Sequence, residues 1–150
     1  MKSLSLVLCC LSICCVHAFA QKLPAGKPAI FTQLPAVIPV HATEFTTLFN
    51  SQQGDAVHQK LGNQFPVDGV VTTRTFKFNQ LHTVGIRLPQ YHNLLLVLNK
   101  RLLADNSWLF SGRIISPEFS DSYELKHIKG DDYQLIRMET EQRLPTCNQQ

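Results

Sequence analysis

Two runs decide the fold of this chain: 94-LLLVLNKRLLADNSWLFSGRIIS-116 and 121-DSYELKHIKGDDYQLIRM-138. In the first, apolar-rich arms at 94–103 and 107–116 flank Ala104-Asp105-Asn106, a turn-rich link of hairpin length. Along the second arm Trp108, Phe110, Gly112 and Ile114 fall on one face, and Leu109, Ser111, Arg113 and Ile115 on the other. That is the period of two expected of a strand. Gly112 in mid-strand marks a bulge or a close approach. The second run repeats the device, with arms at 121–128 and 133–138 joined through Lys129-Gly130-Asp131-Asp132. Here Tyr123, Leu125 and His127 alternate with Glu124, Lys126 and Ile128. Consecutive hairpins make an antiparallel meander, which curls into a small sandwich or a partly open barrel.

Toward the N-terminus the pattern continues. Residues 67–78, VDGVVTTRTFKF, read as one long strand or two bent at a break. Residues 81–88 add another, with Val84, Ile86 and Leu88 alternating, and 89–93, PQYHN, form a turn. One helix is expected at 43–53. Phe45, Leu48 and Phe49 share a face there, Thr43 serves as N-cap, and Gly54 ends the element. It is too short to do more than plug one end or face of the sheet. Residues 21–42 hold Pro24, Pro28, Pro35 and Pro39 and read as an extended lead-in or edge segment. Residues 139–150 form a polar tail. The fold class is therefore mainly β with one short helix, as a single β-rich domain over 43–138.

The 150 residues are 44% hydrophobic and 17% charged, which excludes a disordered chain. A net charge of +3 gives no case for a nucleic-acid partner. Residues 1–20, MKSLSLVLCCLSICCVHAFA, have the form of a signal peptide. Lys2 precedes an uncharged apolar run over 4–16, and Ala18-Phe19-Ala20 offers a cleavage site. Neither Leu8 before Cys9 nor Ile13 before Cys14 is the small residue that a lipoprotein acceptor wants, so a lipid anchor is not expected. The mature chain should be secreted or periplasmic and should carry no membrane span. Cys9, Cys10, Cys14 and Cys15 leave with the signal, and Cys147 stays, either free or in an intermolecular disulfide.

Chemistry-bearing patterns are sparse. His41, His58, His82, His92 and His127 show no H-x-H or H-x-x-x-H spacing, so no metal site is expected. Ser111 lies outside any G-x-S-x-G elbow, and Cys147 falls in a tail ill suited to holding a nucleophile. Asp131-Asp132 and the pair Glu118 and Asp121 read as turn formers, and no phosphate-binding glycine loop is present. No catalytic residue and no cofactor follow from these residues. Tyr91 and His92 in a turn, and Trp108 at a strand start, are the candidate binding anchors. The competing reading makes Trp108 and Phe110 core or cap residues. The expected function is an exported non-enzymatic β-domain that binds a protein, peptide or surface ligand. The alternative is a carrier whose pocket Phe76, Phe78, Leu96 and Phe110 would line. A small hydrolase would need histidine and carboxylate or serine side chains to converge in one cleft.

The run 108-WLFSGRIISPEFSDSYELKHIKGDDYQLIRM-138, with Leu48-Phe49 and Gly54-Asp55 upstream, resembles small secreted β-rich proteins of environmental Gram-negative bacteria. That group has no established activity. The resemblance implies export and a β-fold, and it carries no functional residue to this chain.

Overall fold

Eight antiparallel strands and one short helix make up the computed structural model, which describes residues 26–139. The strands are β1 (Val37–His41), β2 (Ala56–Leu61), β3 (Phe65–Lys77), β4 (Leu81–Leu88), β5 (Leu94–Leu102), β6 (Trp108–Ile115), β7 (Asp121–Lys129) and β8 (Asp132–Glu139). They form one sheet in the order β1-β8-β7-β6-β5-β4-β3-β2. Strands β3 to β8 are the expected meander, β2 extends it by one strand beside β3, and β1 adds itself to the outer edge of β8. A single curled sheet is the partly open barrel of the two architectures expected. Residues 1–20, expected as a signal peptide, together with Cys147 and residues 140–150, lie outside the described residues.

Alternation places one face of each strand inside. Val84, Ile86 and Leu88 of β4 meet Leu94, Leu96 and Leu98 of β5, all buried, and Ile114, Leu125 and Leu135 continue the layer. Large rings fill the interior toward each end. Phe31, Phe65, Tyr91 and Tyr123 pack with centroids 5.1 to 6.0 Å apart at the end that holds the β4–β5 link. Phe45, Phe49, Phe110 and Tyr133 pack at 5.1 to 5.8 Å toward the other end. Edge-on and tilted ring pairs of this kind add to their area burial.

Two strands lie outside the expected meander. β1 lies inside the proline-bearing stretch read as an extended lead-in or edge segment, and Pro39 is tolerated because β1 is an edge strand. β2, AVHQKL, buries only Val57 and Leu61 and is an edge strand too. The helical segment is also shorter and capped differently than expected. A 3-10 turn, Ala42–Phe45, runs into α1 (Thr46–Asn50). The cap is His41 and not Thr43, because Glu44 reaches back to accept from the His41 backbone N–H at 2.8 Å. Phe45, Leu48 and Phe49 are all buried, as the plug requires. Gly112 is a close approach and not a bulge. Its register against Leu98 is unbroken, and a Cβ there would lie 2.7 Å from the Val97 carbonyl oxygen. Register shifts occur instead in β3, between Val71 and Thr73, and in β7, between His127 and Lys129.

Candidate functional site

The inner face of the sheet outlasts the core at the end formed by the β3–β4 and β5–β6 turns. Strand β2 pairs with β3 only as far as Val70, so the rest of the β3–β4 hairpin projects beyond it. Register then lays Phe76 opposite His82, His82 opposite Lys100, and Lys100 opposite Phe110. These positions share the face of buried Val84 and Leu98, two residues further along each strand. The sequence thus swaps its aliphatic inner face for rings and cations where the barrel opens. Phe76 and His82 stand 4.7 Å apart in an edge-on pair, and His82 lies 5.2 Å from the single tryptophan, Trp108. The Lys100 ammonium sits 4.3 Å from the Trp108 ring centre, and the Arg74 guanidinium 4.7 Å from that of Phe76. Such cation–ring contacts orient the charges while leaving them able to meet an anion.

Arg74 is anchored from behind, donating to the Gln52 side-chain oxygen and to the Phe49 carbonyl at 3.3 Å. Its buried Nε has no hydrogen-bond partner among the described residues. Between Gly69 and Ala104 the chain contains no Asp or Glu, but it holds Arg74, Lys77, Arg87, Lys100 and Arg101. None of these five forms an ion pair among the described residues. Beside the row runs a groove of about 550 Å³, bounded by Trp108, Phe110, Tyr133, His127 and Thr46. Asp105 enters it from the β5–β6 turn. Hydrogen bonds from the Ser107 hydroxyl and backbone N–H hold the Asp105 carboxyl below its usual range. A roomier groove of about 710 Å³ lies at the opposite end, but its Asp121 and Arg137 are already bonded to the lead-in backbone.

Burial, and then the positive charges of Lys100 and Arg74, push the His82 pKa below the ordinary histidine value. The unfolded chain therefore takes up this proton first as pH falls through about 6.5. Stability contributed at His82 is complete above that pH and declines below it. His82→Gln should reduce the loss of melting temperature between about pH 7.5 and about pH 5. Equal losses in the two proteins would remove the ring from the pH response.

The three sequence-selected anchors separate. Tyr91 fits into the aromatic cluster beneath the β4–β5 link, 5.1 Å from Phe31 and 5.6 Å from Phe65. Burial, helped by Asp68, raises its phenol pKa, so it stays protonated at neutral pH. His92 lies next to it, exposed and left-handed at φ 52°, with its ring 5.4 Å from Phe119. Trp108 stands at the opposite end, in the row just described. Of the four residues named for a carrier pocket, Leu96 is buried in the core, Phe76 and Phe78 are exposed, and Phe110 alone borders the groove. The remaining histidines engage separately. His41 caps the 3-10 turn, His58 meets Asp68 at 3.2 Å on the exposed β2–β3 surface, and His127 bonds the Gly130 carbonyl at 2.9 Å. Among the described residues no group of three or more His, Cys, Asp or Glu is placed to hold a metal ion. His82 and Lys100 are the site residues that sequence reading passed over as binding groups, and Phe76 it named only for a carrier pocket. Their alternation with Val84 and Leu98 was present in the sequence, but only register brings them together.

Comparison with protein-family models, with curated proteins and with solved structures gives no match to this chain.

Proposed function

We propose that this chain is an exported, non-enzymatic binding domain that meets its partner at the hairpin end of the half-barrel. One observation carries the reading: the inner face continues past the core as an open row of Phe76, His82 and Trp108, with Phe76 half exposed. Its cations, Arg74 and Lys100, rest on ring faces and not on carboxylates. Apolar rings held rigidly by neighbours, rimmed by basic groups, are the usual chemistry of a binding hot spot. Export is supported by Lys2, the apolar run 4–16 and Ala18-Phe19-Ala20. The carrier reading finds less support, because rings and aliphatic side chains occupy the interior that a ligand would need.

Trp108 makes the test direct, since its emission is the only tryptophan signal in the chain. Titration with anionic amphiphiles, acidic peptides and anionic vesicles should move that emission for at least one class. Phe76→Ala and His82→Ala should each weaken the responding ligand about tenfold. Silence across all classes, or a response that both variants retain in full, would refute the reading.

A further inference from the structure

We infer that the β3–β4 hairpin docks on an anionic lipid bilayer by inserting Phe78, an assignment that rests on reading this end of the barrel as the binding surface. Gln80 donates to the Lys77 carbonyl at 3.0 Å, and both intervening residues are left-handed, Phe78 at φ 52° and Asn79 at φ 53°. This is a type I′ turn, in which Asn, Asp and Gly are favoured at the first central position. Asn79 suits its place; a bulky aromatic at Phe78 does not. The ring gains nothing inside the molecule in return. It is 93% exposed, and among the described residues it is the most exposed large apolar side chain and makes no ring contact. A side chain held in a disfavoured backbone state and presented to water points to a use outside the fold.

The surroundings indicate which use. Phe78 occupies the turn at the tip of the hairpin, where β2 has stopped pairing at Val70 and only β5 runs beside it, its Leu102 N–H donating to the Gln80 carbonyl at 2.8 Å. Lys77 precedes it, Arg74 stands four residues behind over the Phe76 ring, and Lys100 and Arg101 lie on the neighbouring β5 end with Trp108 close by. Phenylalanine in the acyl boundary, tryptophan at headgroup level and lysine or arginine against anionic headgroups form one consistent arrangement. A polynucleotide would ask for rings inside a charged groove, not on a point. The carboxylates toward this end, Asp55, Asp105, Asp131 and Asp132, belong to other links, and none lies on the β3–β4 turn. The hairpin can therefore approach a negative surface first.

The assay is co-sedimentation of the chain from Gln21 onward, which holds every described element and the whole core cluster, with phosphatidylcholine vesicles that contain or lack phosphatidylglycerol. The chain should partition onto the phosphatidylglycerol vesicles, release as salt is raised, and bind the neutral vesicles at least tenfold less. Phe78→Asn should lower partitioning about tenfold while raising the melting temperature, because asparagine accepts the turn. Phe78→Trp should keep the binding, and Lys77→Gln should cost about fivefold. Equal partitioning of wild type and Phe78→Asn, or no preference between the two vesicle types, would overturn the inference. So would a soluble acidic peptide or oligonucleotide that binds through Phe78 when vesicles do not. A Trp108 response to such a soluble ligand with no vesicle binding removes the lipid surface and leaves the binding domain standing. No response to either removes both.

Discussion

Gly62→Ala should destabilise the domain by about 3 kcal/mol, read as a lower denaturation midpoint in urea with an unchanged slope. Gly62 opens the turn between the two strands β2 and β3, where the curled sheet brings that turn against the opposite edge strand, β1. A Cβ at Gly62 would lie 2.1 Å from the Pro39 carbonyl oxygen and 2.6 Å from Cγ2 of the fully buried Ile38. Neither neighbour can withdraw without disturbing β1. The backbone adds to this, since φ at Gly62 is +56°, a state that costs other L-residues about 1–2 kcal/mol. Any shift would also strain a clasp across the gap. Glu44 accepts from the His41 N–H at 2.8 Å through one oxygen and from the Gly62 N–H at 2.6 Å through the other. Gly130→Ala is the control. It has a similar φ of +49° but nothing within 4 Å of its Cβ, so it should cost only about 1–2 kcal/mol. Equal losses in the two variants would mean that the barrel gap contributes nothing beyond turn geometry.

Hairpins were legible because their signals are local. Alternation in 107–116 and 121–138, with turn residues between the arms, needs no knowledge of distant partners, and the strands found there match to within a residue or two. β1 was legible only as an extended lead-in or edge segment, because the proline in VIPVH excludes no edge strand and the pairing with β8 spans the whole domain. The helix cap went to His41 for the same reason. The end of β1 sets where the chain turns, and that is invisible from 43–53 alone. Trp108 was singled out from its residue type, whereas its partners were not, since His82 and Lys100 acquire meaning only when β4 lies beside β5 in the observed register. Tyr91 looked like a loop aromatic and proved to be packing, because Phe31, from a lead-in with no apolar periodicity, folds back beneath it.

That fold-back underlies the second large effect. Asp121→Asn should cost about 3 kcal/mol and should loosen one end of the barrel without touching the other. Asp121 is 5% exposed, and its two carboxylate oxygens accept the Ile30 N–H at 2.7 Å and the Phe31 N–H at 2.9 Å. An amide offers only one acceptor oxygen, and its NH₂ would confront the second backbone donor, leaving a buried N–H without a partner. The loss would spread, because those two bonds hold Phe31 between Phe65, Tyr91 and Tyr123. The Arg137 guanidinium still donates to the Phe31 and Leu34 carbonyls at 2.8 and 3.2 Å, and the Tyr123 hydroxyl to the Pro35 carbonyl. The lead-in should therefore open locally before the sheet melts. Hydrogen exchange at the Ile30 and Phe31 amides should accelerate sharply while exchange in β5 changes only in step with global stability. Trp108, at the far end of β6, should keep its emission and its ligand response in the folded variant. A change in that response would show the two ends to be coupled. An unchanged response would mean that the lead-in clamp sustains the barrel while the hairpin end is free to do the binding.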